Sequence, residues 1–173
     1  MENKKQKLHF GIFGLAGVIL LTILDQLTKY LAVIHLAGKE AFVLIPGVFE
    51  LRYLENRGAA FGILQNKQIF FILLTLLYVC IAVWIYFRIP REKKYYLLHS
   101  ITIILTAGAL GNFIDRLVNG YVVDFFYFSL IDFPIFNVAD IYVTAAVILL
   151  IIALFFVYKE EDLTFLSKKK KEQ

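Results

Sequence analysis

The sequence has little of what enzymes of its size usually employ for chemistry. Its one cysteine, Cys80, sits inside an apolar run, so no intrachain disulfide and no cysteine-based metal site can form. His9, His35 and His99 are far apart and make no His-Glu-x-x-His pair, which argues against a histidine metal centre. The serines are Ser100, Ser129 and Ser167, and none lies in Gly-x-Ser-x-Gly. Charge is scarce as well: 18% of residues are charged, against about a quarter in ordinary soluble domains. With three prolines, no Gly/Ser-rich linker and no internal repeat, the 173 residues read as one domain.

What is abundant is apolar surface, at 60% of residues. It is concentrated in four runs, at about 8–34, 68–87, 95–116 and 138–158. Crossing the hydrocarbon takes about 20 apolar residues in a helix, and backbone groups in lipid must be satisfied within the segment. The first run follows Lys4, Lys5 and Lys7 as a secretory signal would. No small-x-small cleavage site interrupts it, and the apolar pattern continues past Asp25, so it reads as a retained helix. Leu15-Ala16-Gly17 is followed by Val18, where a lipobox needs cysteine, so the chain is not expected to be a lipoprotein itself.

The net charge of +4 does not point to nucleic acid, because the basic residues cluster at the edges of the apolar runs. Twelve of the 18 lie at Lys4, Lys5 and Lys7, at Arg88, Arg91, Lys93 and Lys94, and at Lys159 and Lys168 to Lys171. The positive-inside rule then predicts cytoplasmic termini, with a basic tail at 159–173 and outer loops at 35–67 and 117–137. In the first outer loop Phe49, Leu51 and Tyr53 alternate with Glu50 and Arg52, the period of a half-buried strand. Phe42 and Leu44 alternate with Val43 and Ile45 before the Pro46-Gly47 turn signal. The expected fold is thus an integral membrane protein, mainly α, with four transmembrane helices and a small extracytoplasmic β-sheet built largely by the first outer loop. The second outer loop holds Phe125, Phe126, Tyr127, Phe128, Phe133 and Phe136, an aromatic belt expected to anchor at the interface or to shape a lipid groove.

On this topology the intramembrane polar residues gather at one level. Asp25, Gln26 and Lys29 come late in the first helix; Asn112, Asp115 and Arg116 end the third; Asn137 and Asp140 open the fourth, with Asp124 between them. Charged groups at such depth are costly, face inward and usually mark function. Spacings of three and four place each set on one helix face. Asp25/Lys29 and Asp115/Arg116 also read as structural ion pairs. Ala107, Gly108 and Gly111 allow either close helix approach or room for a substrate backbone. Among chemistries, Ser129 is the one serine on this side and stands alone among aromatics, whereas serine catalysis needs a base beside it. Paired aspartates remain, one ionised to activate water and one protonated to polarise a carbonyl.

Five blocks carry a resemblance: Asp25-Gln26-Leu27-Thr28-Lys29, Asn56-Arg57-Gly58-Ala59-Ala60-Phe61, the run Gly108 to Arg116, Val122-Val123-Asp124-Phe125, and Phe136-Asn137-Val138-Ala139-Asp140. In this order the chain resembles bacterial lipoprotein signal peptidase, also called signal peptidase II. The resemblance implies removal of the signal peptide from prolipoproteins, just before a cysteine carrying diacylglycerol. It implies diacylglyceryl-modified prolipoprotein and membrane lipid as partners, with no metal, no other cofactor and no covalent intermediate. It puts the catalytic aspartates at Asp124 and Asp140. Around them it puts Asn56, Gly108, Asn112, Asp115, Arg116 and Asn137, with Asp25 and Lys29 positioning, and it implies a sheet forming a cradle on the membrane surface. The residues agree. Asp25 has Lys29 one turn away and Asp115 adjoins Arg116, while Asp124 and Asp140 have no adjacent base and Asp132 has no partner in view. A small proton-coupled transporter and a lipid-binding assembly factor are the alternatives, but the polar residues collect at one level and line no path across.

Overall fold

The structure, a computed structural model, describes residues 4–58 and 64–166. Ala59, Ala60 and Phe61 of the second block, Ser167 and the lysines at 168–171 lie outside the described residues. The elements run α1 (Lys4–Leu36), β1 (Phe42–Ile45), β2 (Phe49–Asn56), α2 (Gln68–Arg88), α3 (Tyr96–Val118), β3 (Val122–Tyr127) and α4 (Val138–Ile152). A 3-10 turn at Lys93–Tyr95 leads into α3, and a π turn at Ala153–Val157 extends α4. Among the described residues four helical segments are long and apolar enough to cross a membrane, and they form the mainly helical, four-helix membrane architecture expected from the apolar runs.

Breakers stand at the helix ends. Pro90 follows α2, where a ring without an N–H cannot continue the ladder. At the end of α3 the N–H of Asn119 donates to the Asp115 carbonyl at 2.7 Å, and Gly120 takes φ +76°. That left-handed conformation, open to glycine at no steric cost, turns the chain straight into β3.

Helix α3 is the central member and packs against α1, α2 and α4. Its apolar window is 44% buried, against 11% for those of α2 and α4, whose large side chains face outward. Two of its small residues settle the question left open by the sequence. A Cβ at Gly108 would lie 2.6 Å from the Ala139 carbonyl, and one at Gly111 would collide with the Asp25 carboxylate. Both glycines therefore serve close helix approach.

Apolar clusters lie at the two ends of the bundle. At one end Tyr95 stacks on Tyr158, with ring centroids 5.8 Å apart, among Ile89, Leu98, Ile101 and Ala153. The 3-10 segment Glu160–Leu166 folds back there, tied by Lys94 to Asp162 at 2.5 Å. At the other end Ala32, Leu36, Val123 and Phe125 join α1 to the sheet.

The sheet is antiparallel in the order β1-β2-β3. The connection between α1 and α2 supplies two strands, and that between α3 and α4 supplies β3, which carries Asp124. The register sets Leu54 against Asp124 and Asn56 against Val122. Leu51 and Tyr53 are half-buried while Arg52 and Leu54 are exposed, as alternation requires. In β1 all four residues are exposed, so its apolar alternation does not mark a buried face.

The aromatics of the α3–α4 connection also pack on one another. Pairing of β3 with β2 turns Phe125 inward, at 5% exposure. Phe49, Phe126, Phe128 and Phe136 stack on one another, with Phe49 and Phe128 rings 4.7 Å apart. Asp132 also has a partner, the Tyr127 hydroxyl, which donates to it at 2.7 Å.

Candidate active site

Where α1, α3, α4 and β3 meet, the polar residues predicted from sequence form one connected network. Its base is a buried ion cluster. Lys29, 3% exposed, lies 2.9 Å from Asp25 and 3.2 Å from Asp115. The Asp25/Lys29 pair is the expected one-turn contact. Asp115 departs from expectation, since its ion-pair partner is Lys29 rather than the adjacent Arg116. The reason is directional: consecutive helix residues point about 100° apart, and Asp115 faces α1. Its oxygens also accept from Gln26 at 2.9 Å and from the Val123 N–H at 3.0 Å, which fastens the start of β3 to α3. The other oxygen of Asp25 accepts the Ala139 N–H at 2.8 Å, so a side chain of α1 satisfies an orphan donor in the first turn of α4.

Helix α4 begins with a capping box. The side chain of Asn137 accepts the Asp140 N–H at 3.0 Å, and the Asp140 carboxylate accepts the Asn137 N–H at 3.1 Å. This fixes the first turn and aims Asp140 at the end of α3, where Asn112 Nδ2 donates to it at 2.8 Å. Asp124 arrives from β3 and is 1% exposed. Its two oxygens accept from Asn137 Nδ2 at 2.6 Å and from Asn56 Nδ2 at 2.8 Å. Asn112 Oδ1 accepts from both Lys29 at 2.9 Å and Asn137 at 3.1 Å, joining the ion cluster to both carboxylates.

A cavity of about 620 Å³ opens over this network. Asn56, Asn112, Arg116, Asp124 and Asp140 line its polar side; Phe133, Ile135, Phe136, Ile141 and Ile148 are among its apolar wall. Asp140 is half-buried there while Asp124 is buried. Burial first, then the negative charge of Asp140, pushes the Asp124 carboxyl up to about 7, against the pull of its Asn56 and Asn137 hydrogen bonds. Arg116 sits 4.5 Å above the Phe71 ring and donates to the Gly58 carbonyl at 3.0 Å, which ties the α1–α2 connection to the rim. Asp25, Lys29 and Asp115 lie beneath the cavity rather than in its lining, and Gly108 is taken up by its contact with α4.

Three participants escape a reading by residue type: the Gly58 carbonyl, the Phe71 ring and the Ala139 N–H. Gln26 had a signal, as a polar neighbour of Asp25 at the same membrane level. Among the described residues no group of three or more His, Cys, Asp or Glu is arranged to hold a metal ion.

Comparison with known proteins accords with this geometry. The family model described as signal peptidase (SPase) II matches residues 17–156. The chain is 46% identical to the lipoprotein signal peptidase of Streptococcus pyogenes serotype M5 (strain Manfredo), over 84% of this chain and 93% of that one. It is 50% identical to the lipoprotein signal peptidase of Streptococcus agalactiae serotype Ia, over 83% of this chain and 90% of that one. A solved structure described as a bacterial membrane enzyme, determined by the in meso method at 2.3 Å resolution, superposes with a TM-score of 0.73. It is 35% identical, and the match covers 93% of both chains. With four apolar helices of spanning length, a carboxylate pair in one cavity and relatives matched almost end to end, this bacterial membrane protein belongs to the signal peptidase II family of proteases.

Proposed function

We propose that this chain is an aspartic endopeptidase that removes the signal peptide from diacylglyceryl-modified prolipoproteins, cutting just before the lipid-modified cysteine. The observation that carries this reading is the meeting of Asp124 and Asp140 at one cavity whose lining is otherwise largely apolar. Asp140, the more accessible partner, takes a proton from water as that water attacks the scissile carbonyl. Asp124, protonated up to about pH 7, gives its proton to the carbonyl oxygen. The tetrahedral intermediate then collapses, the proton held by Asp140 passes to the leaving nitrogen, and the diol returns one to Asp124. Asn112, Asn137 and Asn56 hold the two carboxylates, and Arg116 supplies a fixed positive charge at the rim. No covalent intermediate is involved.

The twelve basic residues at the N-terminus, the α2–α3 connection and the tail support cytoplasmic termini in the bacterial inner membrane. The site then lies near the outer face, with the sheet as a cradle on the membrane surface. There a diacylglyceryl group can stay in lipid while the peptide enters beside α4. Lipid burial contributes about 0.8 kcal/mol per CH₂, so two acyl chains dominate recruitment. Purified protein in bilayers is expected to shorten lipidated precursor at the bond before the cysteine and to leave unlipidated precursor almost uncut. Equal rates for the two substrates would refute the lipid requirement.

A pH dependence follows from the raised Asp124 carboxyl. A carboxyl lifted from 3.8 to about 7 keeps its acid form through weakly acidic pH and loses it as pH rises through that value. The single-turnover rate should therefore fall with an alkaline limb near pH 7. A rate that stays flat well into the alkaline range would contradict Asp124 as the proton donor.

A further inference from the structure

A second groove lies at the end of the bundle away from the two aspartates. There α1 and α2 both pack on α3 and leave between them an open space of about 690 Å³. It runs along α1 from Leu8 to Val18 and along α2 from Val79 to Phe87, over Thr102, Thr106 and Leu110 of α3. From Leu8 to Val18 the helix rises about 15 Å, at 1.5 Å per residue, which is half of a hydrocarbon core of about 30 Å. The groove therefore has the depth of one leaflet. Beyond Val18, α1 closes onto α3, where the Thr22 hydroxyl donates to the Ala107 carbonyl at 3.5 Å. The polar side chains of the lining are already engaged. The Tyr86 hydroxyl donates to the Phe10 carbonyl at 2.9 Å, the Thr102 hydroxyl donates to the Leu98 carbonyl at 2.8 Å, and Thr106 shares a hydrogen bond with Tyr78 at 3.2 Å. What remains to meet an occupant is hydrocarbon.

The outer end of this groove is basic. Lys4, Lys5 and Lys7 occupy the first turn of α1, just before Leu8. Arg91 follows α2 and donates to the carbonyl of Phe87, a lining residue, at 3.4 Å. One turn of α2 marks the membrane level: Arg88 lies 4.4 Å over the Trp84 ring, and tryptophan favours the interface. Residues 4–24 and 68–91 contain no Asp or Glu, so the two helices that form the groove bring no negative charge to it. We propose that the groove holds one anionic phospholipid, with an acyl chain along Leu8–Val18 and its headgroup at the level of Lys4, Lys5, Lys7 and Arg91. This lipid is retained by the protein and is separate from the diacylglyceryl group of a substrate, which meets the other end of the bundle. A partner helix would cross both leaflets, whereas the groove stops at half depth. The topology proposed above puts the lipid in the cytoplasmic leaflet, but the site itself is set by the groove and its basic end.

The full chain, reconstituted in phosphatidylglycerol or in phosphatidylcholine with a photoreactive group in the acyl chain, tests this. One phosphatidylglycerol per chain is expected to survive detergent extraction in native mass spectrometry, with crosslinks mapping to residues 8–18 and 79–87. Val79→Trp fills the inner half of the groove and leaves every basic residue in place, so retention should fall at least about tenfold. Lys4→Gln, Lys5→Gln and Lys7→Gln together leave the groove open. Each basic residue at an anionic surface contributes about fivefold, so this triple variant should keep the crosslink map but lose one to two orders of magnitude of preference for phosphatidylglycerol. Equal retention of the two lipids by the wild-type chain would overturn the anionic headgroup. Undiminished retention in Val79→Trp would make the lipid part of the surrounding belt and overturn the groove as its site. A dimer mass without bound lipid would give the groove to a second copy and overturn the proposal too. Where Val79→Trp does not fold, the wild-type map decides: crosslinks spread evenly over the four helices overturn it.

Discussion

Asp124→Asn and Asp140→Asn are each expected to lower cleavage by about four orders of magnitude or more, while lipidated precursor still binds. The reason is chemical. An asparagine at position 140 cannot take the proton of the attacking water, and one at 124 cannot return a proton to the carbonyl oxygen. Both substitutions keep volume, so what changes is hydrogen bonding and proton transfer rather than the space open to substrate. Neither residue works without the other, so the double variant should be little worse than either single. Single-turnover cleavage and binding, measured separately on the same preparation, test this. Appreciable turnover in either single variant would remove the dyad. Asp115 would not replace it readily, because its oxygens are already held by Lys29, Gln26 and the Val123 N–H.

The second large effect is on stability. Asp25→Ala should cost about 3–5 kcal/mol, the scale for removing one partner of a buried ion pair. That is a large share of the stability of a typical domain. Asp25 is 0% exposed and does two jobs, pairing with Lys29 at 2.9 Å and accepting the Ala139 N–H at 2.8 Å. Its loss leaves Lys29 with one carboxylate and leaves an orphan donor in the first turn of α4. Asp25→Asn keeps an acceptor for Ala139 and should cost less. Glu55→Ala is the control, because Glu55 pairs with Arg57 in an exposed position where ion pairs contribute little. Thermal unfolding of the three variants in one detergent ranks them. A midpoint for Asp25→Ala equal to that of Glu55→Ala would show that the buried cluster does not hold the bundle.

Much of this was legible in the sequence because membrane helices announce themselves by length and composition. Spacing of three and four then told which polar residues share a face, and the Asp25/Lys29 contact followed from it. Direction across helices was not legible. Asp115 and Arg116 are neighbours in sequence, but only the packing of α1 on α3 sends Asp115 to Lys29. Gly108 and Gly111 allowed two readings until the Ala139 carbonyl and the Asp25 carboxylate were found against them. The packing among the aromatics was not legible for a related reason. Composition recognises an interfacial residue but not the strand register that turns Phe125 inward and stacks Phe126 on Phe136. Backbone groups such as the Gly58 carbonyl and the Ala139 N–H have no residue-type signature at all.

The capping box makes Asp140 part of the first turn of its own helix, whereas Asp124 belongs to a strand whose partner strand is clipped to the rim through Asn56 and, just beyond it, Gly58. The two carboxylates thus ride on separate bodies, a helix end and a small sheet, and meet only at the seam between them. Such a seam can be sprung without touching either acid. A molecule wedged between strand and helix would part the pair while leaving every bond of the capping box in place, so an inhibitor of this enzyme need not resemble its peptide substrate.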